Sequence, residues 1–260
     1  MLASLAPARR RLVLAMLTAL AVIALGSAVV AVTHQSRRPT AVAQDRPGPV
    51  LLVPGYGGSP AALAPLAQAL RTGGRTVQIV TLPDNAEGDL DTQARALGTA
   101  AASLRQRTGA TSVDLVGYSA GGVVARLWVR NHGGAAVTRR VVTLGSPQHG
   151  TELAALGTLL AGSCPTACQQ LAPSSALLAA LNAGDETPAG PSWLSIWTRD
   201  DTVVVPPESA VLTGAINVSV QSLCPADAVD HTGLPRDRVV ERVVLQAVGS
   251  GPLASPTPGC

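Results

Sequence analysis

The sequence predicts an α/β fold, a mostly parallel sheet with helices on both faces in three layers. Three observations predict it. Short β-branched runs alternate with segments of helical spacing along most of the chain, the order expected of βα units. The runs are apolar at consecutive positions rather than at every second one, so both faces of each strand are to be buried. One run, "SVDLVG", passes into a helical segment across the Gly-x-Ser-x-Gly pentapeptide at 117–121 with no linker between them.

Taken in order, "PVLLVPGYGG" (49–58) reads as a buried strand entering a Gly-rich turn, and "PAALAPLAQALRT" (60–72) as a helix. "TVQIVTLP" (76–83) is a second strand, followed by "DLDTQARALGTAAASLRQRTG" (89–109), a helix with an acidic start and a closing Gly. "SVDLVG" (112–117) and "RRVVTLGSP" (139–147) are strands that flank the helix "AGGVVARLWVRNHGG" (120–134). The stretch 148–190, rich in Gly, Ala and Ser, is expected to be an irregular or helical excursion over one end of the sheet. "WLSIWT" (193–198) and "AINVSV" (215–220) supply the last strands, and "RDRVVERVVLQAVG" (236–249) the last helix.

With 260 residues, 47% hydrophobic and only 13% charged, the chain is too apolar for disorder and suits one large domain rather than two. Lys is absent, so all 19 basic residues are Arg, and the formal net charge is +3. The arginines are scattered with few aromatics among them, which excludes a nucleic-acid partner. Residues 12–32 carry no charge and follow Arg9, Arg10 and Arg11. A signal-peptide core spans roughly 7–15 residues and a membrane-spanning helix needs about 20, so the length favours an anchor with membrane contact through this segment. "AVA" at 41–43 has the spacing of a cleavage site and makes a cleaved signal peptide the alternative. In both cases the arginine bias holds the N-terminus in the cytoplasm and exports the domain. The expected organisation is a signal or anchor segment with its linker at 1–47 and a folded domain at 48–260.

Export makes disulfides the natural state of the four cysteines. "CPTAC" offers a local bridge between Cys164 and Cys168, which leaves Cys224 for Cys260. A metal site is the weaker reading, because one C-x3-C pair has no His cluster near it.

"GYSAGG" places Ser119 where a strand ends and a helix begins, a turn that lifts the hydroxyl above the carboxyl end of a sheet. A serine hydroxyl becomes a nucleophile only beside a base that an acid orients. Of the four histidines, His34 lies in the linker and His132 lies about three turns along the helix from Ser119, out of reach. His149 follows too closely on the serine strand, with no intervening acid. His231, after the last strand, fits the order Ser, acid, His. The acid belongs after "WLSIWT", where Asp200 and Asp201 are both available; Asp185, Asp227 and Asp230 are read as solvated loop residues. Two backbone donors are needed for an oxyanion. The amide of Ala120, after the serine, and the amide of Tyr56, in "PGYGG", are the candidates.

Over roughly residues 48–248 the chain resembles the secreted bacterial lipases and esterases of the α/β-hydrolase superfamily, near the small members without a large lid. The resemblance rests on "LLVPGYGG", "VDLVGYSAGGVVAR", "VVTLGSPQHGT", "SIWTRDDTVVVP" and "DHTGLP". It implies an α/β-hydrolase fold, Ser119 as nucleophile, Asp201 as acid, His231 as base and the Tyr56 and Ala120 amides as oxyanion hole. It further implies a monomer that hydrolyses an ester or lipid substrate through an acyl-enzyme, with no cofactor and no metal. Pro54 departs from the pattern, standing where many relatives have His, and the scarcity of aromatics leaves few rings to hold an acyl chain. An envelope acyltransferase with the same triad and a membrane-tethered binding protein without turnover are the competing readings.

Overall fold

Strands β1 (Val50–Val53), β2 (Val77–Ile79), β3 (Val113–Tyr118), β4 (Thr138–Leu144), β5 (Ser192–Trp197) and β6 (Ile216–Ser219) form one sheet in the order β2-β1-β3-β4-β5-β6, and every pairing is parallel. The structure is a computed structural model and describes residues 42–159 and 164–260, with Met16, Thr18, Leu20, Val22 and Ile23. The chain divides into two compact units, Met1–Pro39 and Thr40–Cys260. No helix among the described residues is long and apolar enough to cross a membrane. Apart from the five residues named, the 12–32 run expected as an anchor lies outside the described residues, as do the linker up to Ala41 and His34.

Helices α1 (Ala64–Thr72), α2 (Leu90–Thr108), α3 (Ala120–Asn131) and α8 (Arg238–Ala247) cover the sheet. Strand alternation sorts the core into two clusters. Leu51, Val53, Leu115 and Val141 face α2 and α3, where Leu90, Leu97, Val123 and Leu127 meet them. Val50, Leu52, Val116 and Val142 point the other way, onto Leu66 and Leu70 of α1 and Val240, Val243 and Val244 of α8. Both faces of the central strands β1, β3 and β4 are buried, which is why their apolar residues run at consecutive positions, whereas the edge strands β2 and β6 are partly exposed. Asp89 caps α2 by accepting from the Thr92 amide at 2.7 Å, and Gly109 closes it in the left-handed conformation. The 148–190 excursion holds α4 (Glu152–Leu159), α5 (Thr166–Gln170) and α6 (Ala176–Asn182), and the four-residue α7 (Val220–Leu223) follows β6.

The amino end of the sheet is tied by ions as well as by apolar packing. Asp114, fully buried, accepts from Arg139 at 2.8 and 2.6 Å and from Arg75 at 2.8 Å. The Arg139 guanidinium also reaches the carbonyls of Gln44, Val248 and Gly249. Such a cluster costs desolvation, and only complete pairing offsets it. Here the pairing joins the entry and exit segments of the domain to one carboxylate.

Both disulfides join the expected partners, Cys164 to Cys168 and Cys224 to Cys260.

Candidate active site

The strand order changes direction between β1 and β3: from β1 the chain goes outward to β2, then returns to the other side of β1. The carboxyl ends of two such strands part above the sheet and leave a crevice. The turn Pro54–Tyr56 leaves β1 on one side of it and Ser119 leaves β3 on the other.

Ser119 has φ 53° and ψ −128°, a left-handed conformation that costs a side-chain-bearing residue about 1–3 kcal/mol. Its neighbours explain how the strain is held. A Cβ at Gly117 would lie 2.5 Å from Gly122 Cα, and one at Gly121 would lie 2.3 Å from the Val53 carbonyl oxygen. Only glycines at both positions let the helix start this close to β1 and β3. The Ser119 amide donates to Leu144 O at 2.8 Å, which fixes the turn to β4.

His231 Nε2 lies 3.0 Å from Ser119 Oγ, and its Nδ1 lies 2.7 Å from Asp201 Oδ2. An ionised carboxylate only accepts, so the imidazole proton belongs on Nδ1 and Nε2 is left to accept from the serine. The second oxygen of Asp201 takes the amides of Val203 and Val204 at 2.9 and 2.8 Å, which sets the orientation of the carboxylate. Asp201 and His231 are buried, whereas Asp200 is exposed and its carboxylate accepts instead from Gln221 at 3.2 Å. The other candidates lie elsewhere. His132 binds Asp91 at 2.6 Å, and His149 binds Glu186 at 2.8 Å. Burial raises the Glu186 carboxyl, but hydrogen bonds from His149 and Thr213 outweigh it and hold the group below its ordinary range. Asp227 and Asp230 accept from amides of their own loop, Val229 and Gly233, and Asp185 from the Thr187 amide.

Ala120 is the first residue of α3, where helix amides have no partner within the helix and the dipole favours negative charge. Gly55 abuts the serine so closely that a Cβ there would lie 2.8 Å from Ser119 Cβ, and Tyr56 follows it. A cleft of about 200 Å³ opens on Ser119 between Tyr56 and the apolar side chains Pro147, Leu153, Leu171, Val203 and Val204. Aliphatic side chains of Leu153 and Leu171 from the 148–190 excursion and of Val203 and Val204 from the loop after β5 therefore form the apolar wall with Pro147, although the sequence has few aromatics.

Two neighbours of the site were not singled out by sequence. Gly145 has φ 52°, and a Cβ there would come within 3.1 Å of His231 Nδ1 and 3.2 Å of Asp201 Oδ2. Its only sequence signal is its place at the end of the run "VVTLG". Tyr118 donates its hydroxyl to the His231 carbonyl at 3.3 Å. Burial, and then the charges of Asp201 and Asp230, push its phenol up to about 12, so it remains a donor.

A six-stranded parallel sheet with helices on both sides and a serine turn after the third strand defines the α/β-hydrolase fold. The family described as lipase (class 2) matches residues 93–232, more than half of the chain, and the chain belongs to it. No curated protein sequence matches it. Among solved structures it is similar to the mature lipase BlEst2 of Bacillus licheniformis, at TM-score 0.66 and 18% identity over 82% of this chain and 95% of that one. Lipase B of Aspergillus fumigatus gives TM-score 0.68 and 18% identity over 81% of this chain and 55% of its own. The α/β hydrolase MGS-MChE2, from a lagoon-sediment metagenome of Mar Chica, Morocco, gives 0.54 and 19% over 77% of this chain and 89% of its own. At such identities these likenesses establish the fold, and function rests on the site.

Proposed function

We propose that the protein is a serine-dependent carboxylic ester hydrolase that works through an acyl-enzyme, on ester or lipid substrates outside the cytoplasmic membrane. In this reading residues 1–47 direct or anchor the chain and 48–260 carry the chemistry. The observation that supports it most is the unbroken hydrogen-bonded series Ser119, His231, Asp201 at 3.0 and 2.7 Å beside an apolar cleft.

His231 Nε2 takes the serine proton as Oγ attacks the ester carbonyl, and Asp201 stabilises the imidazolium. Negative charge develops on the carbonyl oxygen, which the amides of Ala120 and Tyr56 receive. The imidazolium returns its proton to the leaving alcohol, and the acyl group remains on Ser119. Water, deprotonated by the same nitrogen, then releases the acid. The apolar walls suit the acyl portion of the substrate, since they offer area to bury and no hydrogen bonds to satisfy. Two disulfides agree with a domain that works in an oxidising compartment.

Turnover of a panel of esters with graded acyl length tests the proposal. The parent is expected to hydrolyse some of them, and Ser119→Ala and His231→Ala to fall to the residual catalysis of about 10³–10⁴ over water that survives loss of such a unit. Undiminished hydrolysis in either variant contradicts it. Products that form only when an alcohol acceptor is added would reassign the chemistry to acyl transfer.

A further inference from the structure

The acid and the base sit on two separate loops, after β5 and after β6, and a distance of 2.7 Å between their side chains requires those loops to be held in register. One buried side chain reaches both. Gln221, on α7, accepts the Arg199 amide on Oε1 at 3.0 Å, two residues before Asp201. Its Nε2 lies 2.8 Å from Thr198 Oγ1 and 3.1 Å from the Asp227 carbonyl, four residues before His231. Thr198 completes the tie: its hydroxyl donates to the Val229 carbonyl at 2.7 Å and accepts from the Asp200 amide at 3.2 Å.

The Thr198 hydroxyl uses its full bonding capacity, and the two hydrogens of Gln221 Nε2 are shared among three acceptors, Thr198 Oγ1, the Asp227 carbonyl and, at 3.2 Å, Asp200 Oδ2. A hydroxyl has one donor and two acceptor sites, and Thr198 spends all three on Val229 O, Asp200 N and Gln221 Nε2. The amide of Gln221 has a single sense that fits, because Arg199 offers a donor and Asp227 an acceptor. Gln221 and Thr198 are both buried, so a broken bond here leaves a polar group without water. Neither side chain touches the space above Ser119, and neither is needed to terminate a helix or fill an apolar cluster.

We infer that Gln221 and Thr198 are positioning residues, a buried amide–hydroxyl bracket that sets the spacing of the Asp201 and His231 loops for the reacting serine. The inference rests on the proposed roles of Ser119, His231 and Asp201. Its effect is on the reaction rather than on substrate binding. Small displacements of a catalytic pair lower the rate of the chemical step by up to about 10²-fold and leave ground-state contacts intact.

The test uses Gln221→Leu, Thr198→Val and Thr198→Ser in the purified protein, with two readouts. Steady-state kinetics on an ester that the parent cleaves is expected to show kcat lowered about ten- to a hundredfold in Gln221→Leu and Thr198→Val, KM unchanged, and kcat restored in Thr198→Ser. Proton NMR reads the low-field resonance of the Nδ1 proton between His231 and Asp201, which needs no turnover. That resonance is expected in the parent and in Thr198→Ser, and to broaden or move upfield in the other two. Parent-like kcat and resonance in Thr198→Val overturn the inference. So does a loss in Thr198→Ser equal to that in Thr198→Val, or a rise in KM without a fall in kcat. If Gln221→Leu does not fold, the two Thr198 variants decide. A parent that cleaves no ester would count against the proposed function alone, and the resonance would still decide on the bracket.

Discussion

Asp200 and Asp201 are adjacent and chemically identical, yet their surroundings are opposite. Asp201 is buried with both oxygens occupied, by His231 on one side and by the Val203 and Val204 amides on the other, while Asp200 is exposed. Replacing the first carboxylate with an amide offers His231 a donor where it needs an acceptor and favours the wrong tautomer. Asp201→Asn is expected to lower turnover by up to about 10⁴-fold. Asp200→Asn keeps an oxygen for Gln221 and is expected to stay within a few fold of the parent; the reverse ranking, from the same kinetics, would move the role to Asp200. Residue by residue, what a local pattern encodes was legible. Ser119 is marked by its two glycines, because the steric demand of the turn is written within five residues. The Asp pair was not separable by alternation, since strand geometry ends there and neighbouring side chains no longer take opposite faces; the apolar run "TVVVP", which constrains the second Asp and leaves the first free to face solvent, and the resemblance both point to Asp201. Gln221 carried no signal at all, because its partners lie in two other segments of the chain.

At the scale of elements, the two disulfides make the clearest comparison. Both are expected to stabilise by restricting the unfolded chain, and the gain rises with the loop they close. Cys164 and Cys168 are separated by 4 positions, Cys224 and Cys260 by 36. In the chain-entropy account these separations correspond to about 2 and about 4 kcal/mol. The longer bridge also joins the residue after α7 to a tail whose Gly259 amide donates to Leu223 O at 2.8 Å, so it supports the helix that carries Gln221. Cys224→Ser is therefore expected to lower Tm further than Cys164→Ser, by several degrees in a domain of this size, as differential scanning calorimetry would measure. An equal or inverted effect would mean that the short bridge, whose Cys168 borders the cleft, does more for the fold than its loop length predicts. The pairing was legible from spacing, because "CPTAC" can close on itself and one partner then remains for each of the others. The 148–190 stretch was legible only as an excursion: its three helices are short, and their spacing is hidden by the Ala and Gly that fill it.

Over the whole molecule, the fold class was readable because a doubly covered parallel sheet demands largely apolar strands, and six short runs carrying Val, Leu or Ile alternate with segments of helical spacing. The ionic closure of the sheet's amino end was not. Nothing in "RRVVTL" marks its two arginines as buried, yet Arg139 and Arg140 are fully buried beneath the chain segments on either side of the domain. Gln44 belongs to that closure. Its carbonyl accepts from Arg139 at 2.8 Å, its side chain donates to the Arg139 carbonyl at 3.1 Å, and its amide oxygen accepts from Ser192 at 3.0 Å. At about 1 kcal/mol per hydrogen bond, with the loss greater where a buried guanidinium is left short of a partner, these contacts matter to a marginally stable domain. A chain beginning at Gln44 is expected to melt several degrees above one beginning at Gly48. Equal melting temperatures by circular dichroism would show that the closure is complete without it.

The proposed chemistry turns on Ser119 being an activated nucleophile. An ordinary serine hydroxyl does not react with a fluorophosphonate, whereas one that shares its proton with His231 does, and the adduct can be located by peptide mass mapping. One adduct per chain is expected, on the peptide carrying Ser119, with none in either Ser119→Ala or His231→Ala. A folded parent that takes up no label, or takes it up on another residue, would contradict it.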